Sequence, residues 1–194
     1  LLLCSLTYIT IVNIYSSAIL IQILYISGLR YSVGTKRHTM NIEICQMDRF
    51  IPEIVTLINQ LDAYQSALYP AESNHAEPIE NLAQIKTYIY VAKWDSRIVG
   101  CATLALPRDS VPEVKRVFVT PDCRGHGIAS LLMTALIDKA NTLKLKEVYL
   151  ETGVFQPEAI SLYQRLGFEL TAQFSHYTYD ALSVFMVKKL DPNQ

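Results

Sequence analysis

Apolar positions change their period along this chain, and the changes mark its elements. Val114 to Val119 is rich in β-branched and aromatic residues and reads as a strand. Thr120-Pro121-Asp122 breaks it, because proline lacks the donor that a ladder needs. Ile128, Leu131, Leu132, Ala135 and Leu136 then recur at i, i+3, i+4, i+7 and i+8, one face of an amphipathic helix. Upstream, Asn41 to Cys45 alternates and predicts a first strand, with Asp48 as cap and Pro52 in the first turn of the helix that follows. Ile51, Ile54, Val55, Ile58 and Leu61 form that helix's apolar stripe, which runs to about Ser66. A polar loop follows from Leu68 to His75, then a short helix over Pro78 to Lys86. Tyr88 to Val91 and Ile98 to Leu106 predict strands joined as a hairpin through Lys93 to Arg97.

Beyond the central helix, Glu147 to Glu151 predicts a strand. Glu158 to Leu166 predicts a helix with Ala159, Leu162, Tyr163 and Leu166 on one face, ended by Gly167 at C′. Phe168 to Leu170, Phe174 to Tyr179 and Val184 to Lys188 read as the last strands. The order β, α, α, β, β, β, α, β, α, β, β predicts an α/β fold of the α+β mixed kind, a mixed sheet with helices on both faces. Residues 1–39 differ from the rest. They hold no charge before Arg30, and the apolar run from Ile9 to Leu29 is long enough to span a bilayer. Met40 stands immediately before the first well-formed strand. The reading is that 40–194 is the domain and 1–39 is upstream sequence, with a membrane anchor over 9–29 as the alternative.

Between the central strand and helix lie Arg124, Gly125, His126, Gly127, Ile128 and Ala129. Glycines at a helix start let backbone N–H groups approach a ligand, and the unpaired donors of the first turn suit a phosphate. Two other phosphate motifs fit less well. The dinucleotide fingerprint would need a third glycine where Ser130 stands, and its first glycine almost on the strand end. A Walker loop would need Gly-Lys-Ser/Thr.

Composition narrows the classes. The four cysteines form no C-x-x-C pair and no cluster with histidine, so neither a zinc site nor a disulfide framework is indicated, and a reducing, cytoplasmic setting is the default. Residues 1–39 carry three of the 17 basic residues and no acid, which leaves 14 basic against 18 acidic side chains in 40–194. A net charge of −4 argues against a nucleic-acid surface and mildly favours small cationic substrates.

The spacing Arg124-x-x-Gly127-x-Ala129, after a strand that begins with Glu113, resembles the acyl-CoA signature of the GNAT superfamily of N-acetyltransferases. The stretch Gln156-Pro157-Glu158-Ala159-Ile160-Ser161-Leu162-Tyr163, closed by Gly167-Phe168, is similar to that family's C-terminal signature, with Gln156 where an Asn is usual. The resemblance covers about residues 41–189. It implies the GNAT fold, with a central sheet splayed in the middle, and an enzyme that transfers acetyl from acetyl-CoA to a small-molecule amine in a ternary complex. A non-catalytic acyl-CoA-binding regulator of the same fold is the alternative. The turn from Arg124 to Ala129 would hold the CoA pyrophosphate, with Arg124 adding charge and His126 at a variable position. Backbone groups of Val117, Phe118 and Val119 would pair with the pantetheine arm, and a main-chain amide near Val119 would polarise the thioester. Tyr163 would attend the CoA sulfur. Glu113 would be the general base, with Glu151 as rival carboxylate. Tyr69, Glu72 and His75 lie in the loop that covers the acceptor site in the family. No metal is implied, and the C-terminal strands of such domains often pair two copies.

Overall fold

The computed structural model describes residues 41–191 and the backbone of residues 10–16, 19–26 and 29–36. The chain divides into two compact units, Leu1–Met40 and Asn41–Gln194. In the first, β1 (Thr10–Ser16), β2 (Ile19–Ile26) and β3 (Leu29–Lys36) form an antiparallel sheet in the order β1-β2-β3. The side chains of residues 1–40 lie outside the described residues, and with them the expectations placed on 1–39. No helix among the described residues is long and apolar enough to cross a membrane.

The second unit is built on seven strands. They are β4 (Ile42–Met47), β5 (Lys86–Trp94), β6 (Arg97–Leu106), β7 (Glu113–Val119), β8 (Glu147–Gly153), β9 (Glu169–Leu170) and β10 (Ser183–Lys189). Their order in the open sheet is β4-β5-β6-β7-β8-β10-β9, antiparallel throughout except for β7 against β8. Four helices accompany them: α1 (Pro52–Leu68), α2 (Ile79–Gln84), α3 (Ile128–Thr142) and α4 (Pro157–Arg165). The predicted hairpin forms, with Asp95 and Ser96 both at positive φ, as a tight turn between twisted strands requires.

Each face of the sheet has its own core. Ile54, Leu57, Ile58 and Leu61 of α1 pack on Ile89, Val91, Cys101 and Phe118. Ile128, Leu132, Met133 and Leu136 of α3 join Ala102, Leu104, Val114, Val119 and Leu150 on the other face. Val114 and Val119 thus share a core although they are five residues apart, and Phe118 lies on the opposite side. Strict alternation forbids this, so β7 must change phase. It does so at a bulge: the register runs Cys101↔Phe118, then Thr103↔Lys115, two residues of β6 against three of β7. Arg116 sits in the bulge at φ 58. Its side chain bonds the Asp62 carboxylate and the Glu77 carbonyl, tying α1 and the segment before α2 to the strand. From β6, the Thr103 hydroxyl donates to the Lys115 carbonyl (2.9 Å) and the Cys101 thiol to the Arg116 carbonyl (3.5 Å).

The bulge bends β7 away from β8. The two pair only at Glu113↔Tyr149 and Val114↔Leu150. Beyond Leu150, the β7-facing edge of β8 has no strand partner among the described residues, while its other edge pairs with β10 along its whole length. The expected splay is present, and the bulge is its cause.

Two local expectations fail. Asp48 does not cap α1; Ile51 takes the N-cap position in extended conformation with no side-chain cap, and Pro52 begins the helix. Phe174–Tyr179 is not a strand. The rings of Phe174 and Tyr177 turn inward onto Tyr149 and Phe185, so burial of aromatic side chains holds the segment as a loop instead of a ladder. The sheet ends at β9, two residues paired with β10.

Candidate active site

Two cavities open onto the splay. One is a groove of about 680 Å³ between β7, the turn before α3, and α4. The other is a polar chamber of about 110 Å³ under the loop that follows α1. They share Leu61, Val117, Gln156, Ala159 and Tyr163, so each reaches the gap between β7 and β8.

The groove gathers Val117, Phe118, Val119, Arg124, Gly125, Gly127, Ile128 and Ala129. Gly125 and Gly127 stand at φ 79 and 76, and Gly127 is the N-cap of α3 with no side-chain cap. A Cβ at either position would meet nothing within 4 Å. These glycines are there for backbone conformation, and the space in front of them suits a ligand phosphate facing the helix N-terminus. Arg124 donates from Nε to the Val119 carbonyl (3.1 Å) and lays its guanidinium over Tyr64 and Phe118. His126 does not line the groove. Its ring packs edge-on against Trp94 with centroids 4.7 Å apart, and its Nδ1 lies 3.3 Å from the Cys123 carbonyl.

Tyr163 is brought to the junction by α4, with 7% of its surface exposed. Burial, helped by the Glu151 carboxylate, holds its phenol above the ordinary range, so it keeps its proton at every physiological pH. Gln156, at the N-cap of α4, accepts from Thr152 Oγ1 (3.3 Å) and from the Gly153 N–H (3.4 Å), which fixes the free end of β8 against the helix.

In the chamber, Glu113 is buried and fully engaged. Tyr177 Oη donates to Glu113 Oε1 at 2.6 Å, and Lys115 Nζ lies 2.9 Å from that oxygen and 2.9 Å from Tyr177 Oη. Burial, then the Glu113 charge and its hydrogen bond, push the Tyr177 phenol far up. Glu151 accepts only from a neutral group, the Ser183 hydroxyl at 2.7 Å. Burial raises its pKa and Glu113 adds to this, while the Ser183 bond, His75 and Lys115 oppose it. His75 bonds Asp180 (3.2 Å) and meets Tyr177 edge-on. Asp180 is held below the usual carboxylate range by the Leu182 N–H first, then by Ser73 and His75. Tyr69 also lines the chamber, whereas Glu72 is exposed and stays outside it. No group of three or more His, Cys, Asp or Glu able to hold a metal occurs among the described residues.

Tyr69 roofs the chamber. Its ring stacks on Phe155 (5.5 Å) and its hydroxyl accepts the Phe155 N–H at 2.9 Å. A Cβ at Gly153 would lie 2.1 Å from that hydroxyl. Gly153→Ala is therefore expected to expel Tyr69 and cost about 1–3 kcal/mol by overpacking. Urea denaturation measures the loss, and Tyr69→Phe in the same background should leave it in place, since the ring carbon Cζ is also only 2.2 Å away.

From sequence, Lys115 or Arg116 stood only as an ion-pair partner for Glu113, and Tyr177 was not singled out. Lys115 had a signal, since i and i+2 on a strand share a side and put it beside Glu113. Tyr177 had none, because its segment reads as an ordinary alternating strand.

Residues 57–168, more than half of the chain, match the family model described as "Acetyltransferase (GNAT) family". The chain belongs to the GNAT acetyltransferase family. The IAA acetyltransferase of Azospirillum brasilense is 38% identical over 151 residues, which cover 77% of this chain and 99% of that one. A crystal structure titled as a putative acyl-CoA N-acyltransferase from Klebsiella pneumoniae is 31% identical with a TM-score of 0.65, covering 77% of this chain and 98% of that one. A GNAT family acetyltransferase from Elizabethkingia anophelis with acetyl-CoA bound superposes with a TM-score of 0.57 at 22% identity, over 77% of this chain and 99% of that one, a likeness of fold. This GNAT protein is thus an acyltransferase enzyme of a family that uses acyl-CoA, which sets aside the non-catalytic alternative. Its sheet, open at β7 and β8, is the fold that the two sequence signatures implied.

Proposed function

We propose that the protein transfers the acetyl group of acetyl-CoA to a primary amine of a small molecule, by direct attack in a ternary complex. The observation that carries this reading is the meeting of groove and chamber at Val117, Gln156, Ala159 and Tyr163. A long cofactor in one and an acceptor in the other would bring their ends together there.

Acetyl-CoA supplies a thioester carbonyl open to nucleophilic attack. The turn from Arg124 to Ala129 would hold its phosphates, and the bulged edge of β7 would line its arm. A main-chain amide near Val119 remains the proposed donor to the carbonyl. An amine attacks only after losing its proton, and Glu151 is the better placed acceptor. Glu113 Oε1 already takes a bond from Tyr177 and pairs with Lys115, whereas Glu151 accepts from the Ser183 hydroxyl. A carboxylate with raised pKa is the stronger base and meets the ammonium at the lip of the splay. Tyr163, protonated and buried, hydrogen-bonds the departing sulfur. An acyl-enzyme route has little support. Cys101 lines neither cavity, and burial pushes its thiol up to about 12; Cys123 lines the groove but not its junction with the chamber.

Tyr163→Phe is expected to lower kcat about 100-fold with little change in KM for acetyl-CoA, because the bond forms as sulfur gains charge. A matched rise in KM instead would assign Tyr163 to binding. The decisive test of the reading is the thermal melting of the full chain with acetyl-CoA at a hundred times Kd, followed by an amine screen read out by released thiol. Mass action gives about 2.7 kcal/mol of stabilisation, on the order of 5–10 °C for a domain of this size. No shift at any concentration would overturn the reading. So would an acetylated protein trapped by mass spectrometry before amine is added.

A further inference from the structure

The charges that line the chamber settle unevenly. It has two permanent cations, Lys115 and Arg116, and both are already matched by the protein's own acids. Lys115 Nζ is 2.9 Å from Glu113 Oε1 and donates to Tyr177 Oη at 2.9 Å. Arg116 is held by the Asp62 carboxylate and the Glu77 carbonyl. The side chains of Lys115 and Glu113 are 11% and 5% exposed, so that pair is desolvated, whereas Arg116 is buried against an Asp62 that is 37% exposed. His75, the remaining basic group, is on Asp180. On the acidic side, Glu77 accepts from Asn81 Nδ2 at 2.6 Å, an exposed bond. Glu151, at the splay, is matched by no cation within bonding distance; its partner is the Ser183 hydroxyl.

We infer that the acceptor is a compact amine that carries no carboxylate beside its amino group, a monoamine or aminoalkyl compound and not an α-amino acid. This rests on the acetyltransferase reading and specifies its acceptor. The physical reason is one of pairing. In an α-amino acid the carboxylate and the amine sit on the same carbon, so an amine placed at the splay brings its carboxylate into the chamber. There it would face Glu151, a like charge. To gain a cation it would have to draw Lys115 from Glu113 or Arg116 from Asp62. Drawing Lys115 away leaves the desolvated Glu113 carboxylate unpaired, which is strongly unfavourable, and moving Arg116 breaks its bonds to both Asp62 and the Glu77 carbonyl. An ammonium without a carboxylate meets the opposite situation: it supplies the cation that Glu151 lacks, in a chamber that Tyr69 and Tyr177 also line.

The test uses matched pairs that differ only by the carboxylate: ethanolamine with serine, histamine with histidine, tyramine with tyrosine. The full chain is assayed for thiol release from acetyl-CoA, and the CoA-loaded protein is titrated calorimetrically with each compound. At least one amine is expected to bind and turn over, with kcat/KM at least ten times that of its amino acid and most of the ratio in KM. An amino acid that matches or exceeds its amine would overturn the inference. Acetyl-CoA stabilisation together with no binding by any amine would overturn it alone. Absence of acetyl-CoA stabilisation would remove the acetyltransferase reading as well. Glu113→Gln supplies an independent check, since it frees Lys115 while keeping an acceptor for Tyr177. The amine-to-amino-acid ratio is then expected to fall about tenfold, and a ratio that stays where it was would overturn the charge accounting. If that variant fails to fold, Tyr177→Phe loosens Lys115 by its other partner and is read in the same way.

Discussion

Replacing Glu151 by Gln is expected to lower kcat/KM for the amine about 10²–10⁴-fold, the range for loss of a general base. The change keeps the shape of the side chain and an acceptor for the Ser183 hydroxyl, so folding should survive. The pH profile distinguishes this from simple loss of fit. The wild-type acidic limb should lie above the ordinary carboxylate pKa of about 4.3, because burial and Glu113 raise that of Glu151, and the limb should vanish in Glu151→Gln. Stability should move the other way. A carboxylate whose pKa is raised on folding binds more protons in the native state, so its contribution is full below the unfolded pKa and is lost as pH rises through the folded one. Glu151→Gln should therefore melt higher than the parent at pH 7–8, with the difference fading below about pH 4, a trade of stability for activity. If Glu151→Gln keeps its activity and Glu113→Gln loses it with the acidic limb, the base is Glu113.

Gly127→Glu should abolish the acetyl-CoA melting shift and raise KM for acetyl-CoA beyond measurement. The backbone at Gly127 is left-handed at φ 76, a conformation that costs a residue with a Cβ about 1–2 kcal/mol. A Cβ at Gly127 would meet nothing within 4 Å among the described residues, so the domain should remain folded by circular dichroism. The carboxylate would instead occupy and repel the place proposed for the phosphates, at the uncapped start of α3. A variant that still gains about 5–10 °C from acetyl-CoA would move the phosphate site away from this turn. Because Gly127 is distant in role from Glu151, the two variants separate cofactor binding from proton transfer: one should lose the melting shift, the other should keep it.

The local sequence decided most of the architecture. Ile128, Leu132 and Leu136 of the predicted stripe appear on the buried face of α3, joined by Met133, while Leu131 is exposed; Ile54, Ile58 and Leu61 appear on that of α1. Gly167 stands at φ 82 just after α4, where a helix ends most easily with no Cβ. The turn glycines and the Tyr163 signature were legible because each needs only a few neighbouring residues to express its conformation. Long-range pairing was not legible in that way. The phase change in β7 leaves the string Glu113 to Val119 looking like a plain strand, and only its register with β6 shows that Val114 and Val119 share a core. The consequence is functional, since the same bulge opens the slot. One partner of Glu113 was equally hidden. Lys115 is two residues away, but Tyr177 comes from a loop 64 residues further on and binds where aromatic packing against Phe174 and Phe185 delivers it. Sequence named two carboxylates at the opening and put Glu113 ahead of Glu151 as the base. Their environments differ because burial and ion pairing depend on which distant side chains fold in beside each, and the tertiary structure alone paired Glu113 with Lys115 and left Glu151 facing the splay.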